Sequence, residues 1–121
     1  MDRFFFSAGA IAAFVAVALG AFGTHSLRAK LTPEMLTIFE IGVRYQMYHA
    51  LGLIAVAWAI TRWPEANLSS VGWCFIVGII VFSGSLYLLS TTGVRWLGAV
   101  TPFGGLAFLA GWAILIWSMN K

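Results

Sequence analysis

Charge is what this chain has least of. Seven lysines and arginines and four acids are only 9% of its 121 residues, where a soluble domain carries about 25%. The basic residues stand singly, so no run can track a phosphate backbone, and nucleic acid is excluded as a partner. Cysteine occurs once, at Cys74, which rules out an intrachain disulfide, a CxxC redox pair and a c-type haem attachment site. Catalytic motifs are missing too. There is no HExxH, no phosphate-binding glycine loop and no nucleophile elbow, and the four acids all fall near the ends of apolar runs. The residue inventory points away from an enzyme, and no cofactor or metal is expected.

What fills the chain instead is apolar. It is 61% hydrophobic with a positive mean hydropathy, and a soluble fold would leave too much of that surface wet. Four apolar segments follow one another at about residues 4–23, 45–63, 71–89 and 96–119. Each approaches the roughly 20 helical residues that cover a hydrocarbon core of about 30 Å. The first has Arg3 before it and the small residues "ALG" within it, as a signal peptide would. Three further apolar segments argue that it is kept as a span. Short polar connectors, "RWPEANLSS" from Arg62 and "STTGVRW" from Ser90, make neighbouring spans antiparallel.

The expected fold is therefore all-α: a polytopic membrane protein of four transmembrane helices in an antiparallel bundle, forming one domain over residues 1–121. Aromatic placement agrees with it. Phe4, Phe5, Phe6, Trp63, Trp73 and Trp117 fall near one membrane face, and Tyr45 and Trp96 near the other. Orientation stays open, because Arg3, Arg62 and Lys121 on the terminal side balance Arg28, Lys30 and Arg95 across the membrane.

Lipid tails supply little apolar driving force between helices, so the bundle needs small residues that let backbones approach. Gly9, Ala13, Ala16 and Gly20 form such a stripe in the first span, and Gly104, Ala107 and Gly111 another in the fourth. Ser83, Gly84 and Ser85 make a small polar patch in the third. Gly105, beside Gly104, permits close contact or a bend, and Thr101 with Pro102 either caps or kinks the fourth span. These stripes serve ordinary bundle packing or, on a sharper reading, contact with a second copy or a larger membrane partner.

The first connector is the least ordinary. "LTPEMLTIFE" opens a helix with Thr32 as cap, Pro33 in the first turn and Glu34 at the positive helix end. Its amphipathic pattern predicts a short helix from Pro33 to Arg44 that either lies on the membrane surface and turns in near Gly42 or runs unbroken into the second span. Glu40 and Arg44 are one turn apart and within reach of pairing, and Arg44 can snorkel to lipid headgroups. His49 lies deeper, on the stripe Gly42, Tyr45, His49, Gly52 and Val56, and a polar ring at that depth should face protein. It either bonds a neighbouring helix and fixes register, or joins His25 at the end of the first span in a proton or metal site. The candidate polar site thus comprises His25, Glu40, Arg44, Tyr45, Gln46 and His49.

Four motifs together carry a resemblance: "GAFGTHSL" from Gly20, "YQMYHALGL" from Tyr45, "FSGSLYLLS" from Phe82 and "GAVTPFGGLAFLAGW" from Gly98. With them the chain resembles the membrane-protein family known as domain of unknown function 423 over nearly its whole length. The matching positions are Gly20, Gly23, His25, Tyr45, Gln46, His49, Ser83, Gly84, Ser85, Tyr87, Thr101, Pro102, Gly104 and Gly105. The likeness implies a small four-span protein of the bacterial plasma membrane, similar also to a small eukaryotic transmembrane protein, and it brings no established activity. The expected role is a non-enzymatic bundle that self-associates or serves a membrane complex. The alternative is an oligomeric transporter or channel subunit with a polar site near His25, Glu40 and His49.

Overall fold

The computed structural model describes residues 1–121, and all of its regular secondary structure is helical, with no strand. Helix α1 runs Asp2–Leu27, α2 Pro33–Arg62, α3 Ser69–Thr92 and α4 Thr101–Met119. Two of them are not uniformly α-helical. A π turn widens α1 at Leu19–Gly23 and α3 at Ile79–Ser83, and such turns cluster at functional or tightly packed positions.

The ends follow local chemistry. The Thr32 hydroxyl accepts from the Met35 N–H at 3.2 Å, with Pro33 in the first turn of α2. Trp63 ends that helix just ahead of a short 3-10 turn at Pro64–Ala66, and Asn67 then adopts φ 52°. Gly93, at φ 74°, closes α3 with its N–H donating to the Leu89 carbonyl at 2.8 Å, the usual task of a glycine just past a helix. A 3-10 turn at Arg95–Ala99 feeds α4, whose first turn holds Pro102.

One expectation is corrected here. Three segments, Asp2–Leu27, Ser69–Thr92 and Arg95–Met119, are long and apolar enough to cross a membrane, not four. α2 has ample length, 30 residues, but Tyr45, Gln46, Tyr48 and His49 dilute its apolar stretch. Of the two courses open to the amphipathic stretch the structure takes the second, because Pro33–Arg62 is one unbroken helix. Gly42 does not turn the chain. It is a contact point, where a Cβ would meet the Tyr87 ring at 2.8 Å.

The helices pack in chain order, α1 on α2, α2 on α3 and α3 on α4. Facing residues fix the antiparallel sense: Gly9 lies against Ala50, the Gln46 side chain reaches Ala12, and Gly23 sits on the Phe39 ring. α4 meets α2 through side chains, His49 with Phe108 and Trp112. The apolar core lies toward the terminal end and is built on Phe5, Leu53, Val56, Val71, Phe75 and Phe108. Only 27 of 121 residues are buried, and large apolar side chains such as Phe14, Leu51, Trp58, Ile80 and Leu106 point outward from all four helices. An apolar surface facing outward on every side suits lipid rather than water.

Candidate functional site

The polar residues of α2 gather at mid-helix, and each is engaged. Gln46, 5% exposed, donates from Nε2 to the Ala12 carbonyl at 2.8 Å, while its Oε1 accepts the Tyr87 hydroxyl at 2.7 Å. One amide therefore ties α1, α2 and α3 together. Ser83, fully buried in the π turn of α3, donates to the Gly42 carbonyl at 2.6 Å. The widened turn thus lies where the Ser83 hydroxyl reaches another helix. Ser85 and Thr101 share a hydrogen bond of 2.5 Å that joins α3 to the start of α4.

His49 is 4% exposed and stacked on Phe108, ring centroids 3.5 Å apart and planes within 9°. Its Nδ1 lies 2.8 Å from the Tyr45 carbonyl, and its Nε2 lies 3.0 Å from the indole nitrogen of Trp112. A carbonyl only accepts and an indole N–H only donates. Nδ1 therefore carries the proton, Nε2 presents its lone pair, and the ring is neutral. With both nitrogens engaged, His49 could take a metal only by giving up Trp112. No group of three His, Cys, Asp or Glu side chains forms a metal site anywhere in the molecule.

The site that would join His25, Glu40 and His49 is not assembled. His25 is exposed near the end of α1, two residues beyond Gly23, which packs on Phe39. Phe39 to His49 is about 15 Å along α2, so the two histidines are not at one depth. Glu40 and Arg44 do not pair. The side-chain ion pair of this region is Arg95 with Glu34, at 3.8 Å and largely exposed, worth at most about 1 kcal/mol. Arg44, Tyr45 and Tyr48 face outward.

The small residues lie mostly against other helices of the same chain. A Cβ on Gly9 would come within 2.6 Å of the Ala50 carbonyl, one on Gly104 would run into the Phe82 backbone, and one on Gly111 would meet Phe75 at 2.6 Å. Ala16 is buried and Gly20 lies near Val43, whereas Ala13 and Ala107 are half-buried. Gly84 has open space where a Cβ would be, and Gly105 has nothing nearer than Phe82 at 3.9 Å.

Trp112, Phe108 and the engagement of Tyr87 were not legible as site features. Aromatic residues in an apolar run look alike until their neighbours are known, and only an N–H or O–H facing a buried acceptor sets these apart.

Among known proteins, the family described as "Protein of unknown function (DUF423)" matches residues 19–105. The chain belongs to the DUF423 family. As a DUF423 protein it is 44% identical over 119 residues to the UPF0382 membrane protein SH2409 of Staphylococcus haemolyticus, covering 98% of this chain and 97% of that one. It is also 44% identical to the UPF0382 membrane protein YwdK of Bacillus subtilis over 115 residues, 94% of each chain. A UPF0382 membrane protein of Staphylococcus saprophyticus is 45% identical over 114 residues, again 94% of each. No solved structure matches. Gln46, Tyr87, Ser83, Ser85, Thr101, His49 and Trp112 supply the side-chain bonds between helices, and Gly104 brings the α4 backbone against that of Phe82.

Proposed function

We propose that this DUF423 membrane protein is a non-enzymatic helical bundle of the bacterial plasma membrane that self-associates or serves as an accessory subunit of a membrane complex. The observation that supports this reading is where its polar groups go: every buried side-chain nitrogen and oxygen has a hydrogen-bond partner, and Gln46, His49, Ser83 and Ser85 each link two helices. Chemistry or transport at these groups would first have to break the bonds that hold the helices in register.

The reading includes α2 as a fourth span. Its outward stripe carries Arg44, Tyr48, Leu51, Ala55, Trp58 and Arg62, all exposed. Arg44 to Arg62 is about 27 Å at a rise of about 1.5 Å per residue, close to the roughly 30 Å of a hydrocarbon core. Tyr48 and Trp58 lie one turn inside each arginine, at the levels where interfacial aromatics gather. Mid-helix polarity does not oppose this span, since Gln46 and His49 are buried against protein.

Self-association then has to use other surface than Gly9, Gly104 and Gly111, which are occupied within the chain. Crosslinking in native membranes followed by affinity purification tests the proposal. The expected result is a defined oligomer or a membrane protein that co-purifies in fixed ratio. A chain that stays monomeric and alone at every crosslinker dose, yet supports a solute flux abolished by His49→Ala, would replace this reading with the transport one.

A further inference from the structure

Arg44 differs from Arg62 and Arg95. Arg62 lies over the Trp63 ring, 5.2 Å from its centroid, and Arg95 is held by Glu34. Arg44 is exposed and outside ion-pair range of any acid. Tyr48 shares its face one turn further in, and Tyr45 lies between that face and α4, its ring 5.6 Å from that of Tyr48. The hydroxyls of both tyrosines donate to no protein acceptor, whereas the third tyrosine, Tyr87, bonds Gln46. A guanidinium and two phenols at the edge of the hydrocarbon layer take acceptors from lipid headgroups and interfacial water. Phosphate and ester oxygens have that chemistry, and the planar fork of arginine matches phosphate.

Tyr45 also lines a groove of about 520 Å³ between α2 and α4. Phe82 and His49 flank it, and Pro102, Gly105, Leu109 and Trp112 form its α4 wall. From Pro102 to Trp112 the wall runs about 15 Å, half of a roughly 30 Å core. That is the depth of one acyl chain in one leaflet. The groove starts at the end of α2 that carries Arg44.

We propose that Arg44, Tyr45, Tyr48 and this groove form a binding site for an anionic glycerophospholipid of the adjacent leaflet. Its phosphate sits on Arg44 and accepts from the tyrosine hydroxyls, and one acyl chain lies in the groove. An anionic headgroup is favoured because Arg28, Lys30, Arg44 and Arg95 outnumber Glu34 and Glu40 at this end of the molecule. The site rests on the reading of α2 as a fourth span, not on the accessory-subunit role.

Native mass spectrometry of the full chain in detergent, with phosphatidylglycerol or phosphatidylcholine added at equal concentration, tests it. Phosphatidylglycerol is expected to be retained preferentially, and Arg44→Gln is expected to lower that retention about fivefold, the effect of one surface charge. Arg62→Gln, on the same stripe at the other membrane face, is expected to leave it unchanged. Gly105→Leu, which fills the groove, is expected to weaken both lipids, while Arg44 and Arg62 are exposed enough for their variants to fold whatever Gly105→Leu does. Glycerol phosphate without acyl chains is expected not to compete. Equal retention of the two lipids, unchanged retention in Arg44→Gln, or full displacement by glycerol phosphate would each overturn the proposal, the last by reducing the site to one for free phosphate.

Discussion

The indole N–H of Trp112 donates to Nε2 of His49 across 3.0 Å, a bond between helices α4 and α2. Trp112→Phe keeps an aromatic ring but removes the donor and strands a buried lone pair, which costs about 1–3 kcal/mol. His49→Leu removes the acceptor and also the stack on Phe108. In a double-mutant cycle read by unfolding in detergent, the two are expected to couple by about 1 kcal/mol. Additive losses would mean that the bond contributes nothing. Nitrogen NMR of the imidazole is expected to report a proton on Nδ1.

Gln46 makes two interhelical bonds where Tyr87 makes one. Such bonds average about 0.6 kcal/mol in membranes and reach about 1.7. Gln46→Leu is therefore expected to cost more than Tyr87→Phe, and adding Tyr87→Phe to Gln46→Leu is expected to restore part of the stability, since it removes a stranded hydroxyl. Unfolding free energies of the four proteins in the cycle decide this.

Two glycines, Gly104 and Gly84, should behave oppositely. Gly104→Ala pushes a methyl into the Phe82 backbone, which cannot rotate away, whereas Gly84→Ala enters open space. The first is expected to lose at least about 2 kcal/mol, in the range of overpacked cores, and the second to lose nothing. Equal thermal stability of the two variants would contradict the close packing of α3 on α4.

His25 and His49 lie too far apart to share a ligand. Their alanine variants are expected to add within about 0.5 kcal/mol in stability, and zinc is expected to leave unfolding of the native chain unchanged. A zinc-dependent rise that vanishes in both single variants would show the pair acting together.

In a Cys74→Ser background, cysteines placed singly along the outward stripe of α2 test the fourth span. Thr37→Cys is expected to react with a membrane-impermeant thiol reagent, and Leu51→Cys and Ala55→Cys are expected not to. Tags on the two termini are expected to be accessible from the same side of the membrane.

Much of this molecule was legible from residue order. Thr32, Pro33 and Gly93 mark helix ends through local backbone chemistry, which needs no distant partner. The scarcity of charge and the long apolar runs are plain in the sequence and place the chain with membrane proteins, although it suggests four such spans where three meet the length and hydropathy of one. The depth of His49 along α2 and the shared face of Gly42, His49 and Val56 follow from helical periodicity.

Periodicity says which residues share a face but not what stands opposite, and the rest depended on that. Glu40 and Arg44 have the spacing of a pair, yet Arg95 takes Glu34 across two connectors and Arg44 is left without an acid. The sequence leaves Gly42 as either a turn or a point within a continuous helix, and it is the seat of the Tyr87 ring, with α2 continuing through it. The sequence by itself determined the solvent this chain requires and where most of its helices begin and end, because hydropathy and capping act over a few residues. Only the tertiary structure decided that Gln46 and His49 serve as links between helices, because a hydrogen bond depends on which donor faces which acceptor to within a few tenths of an ångström, and those partners lie 34 and 63 residues away in the chain.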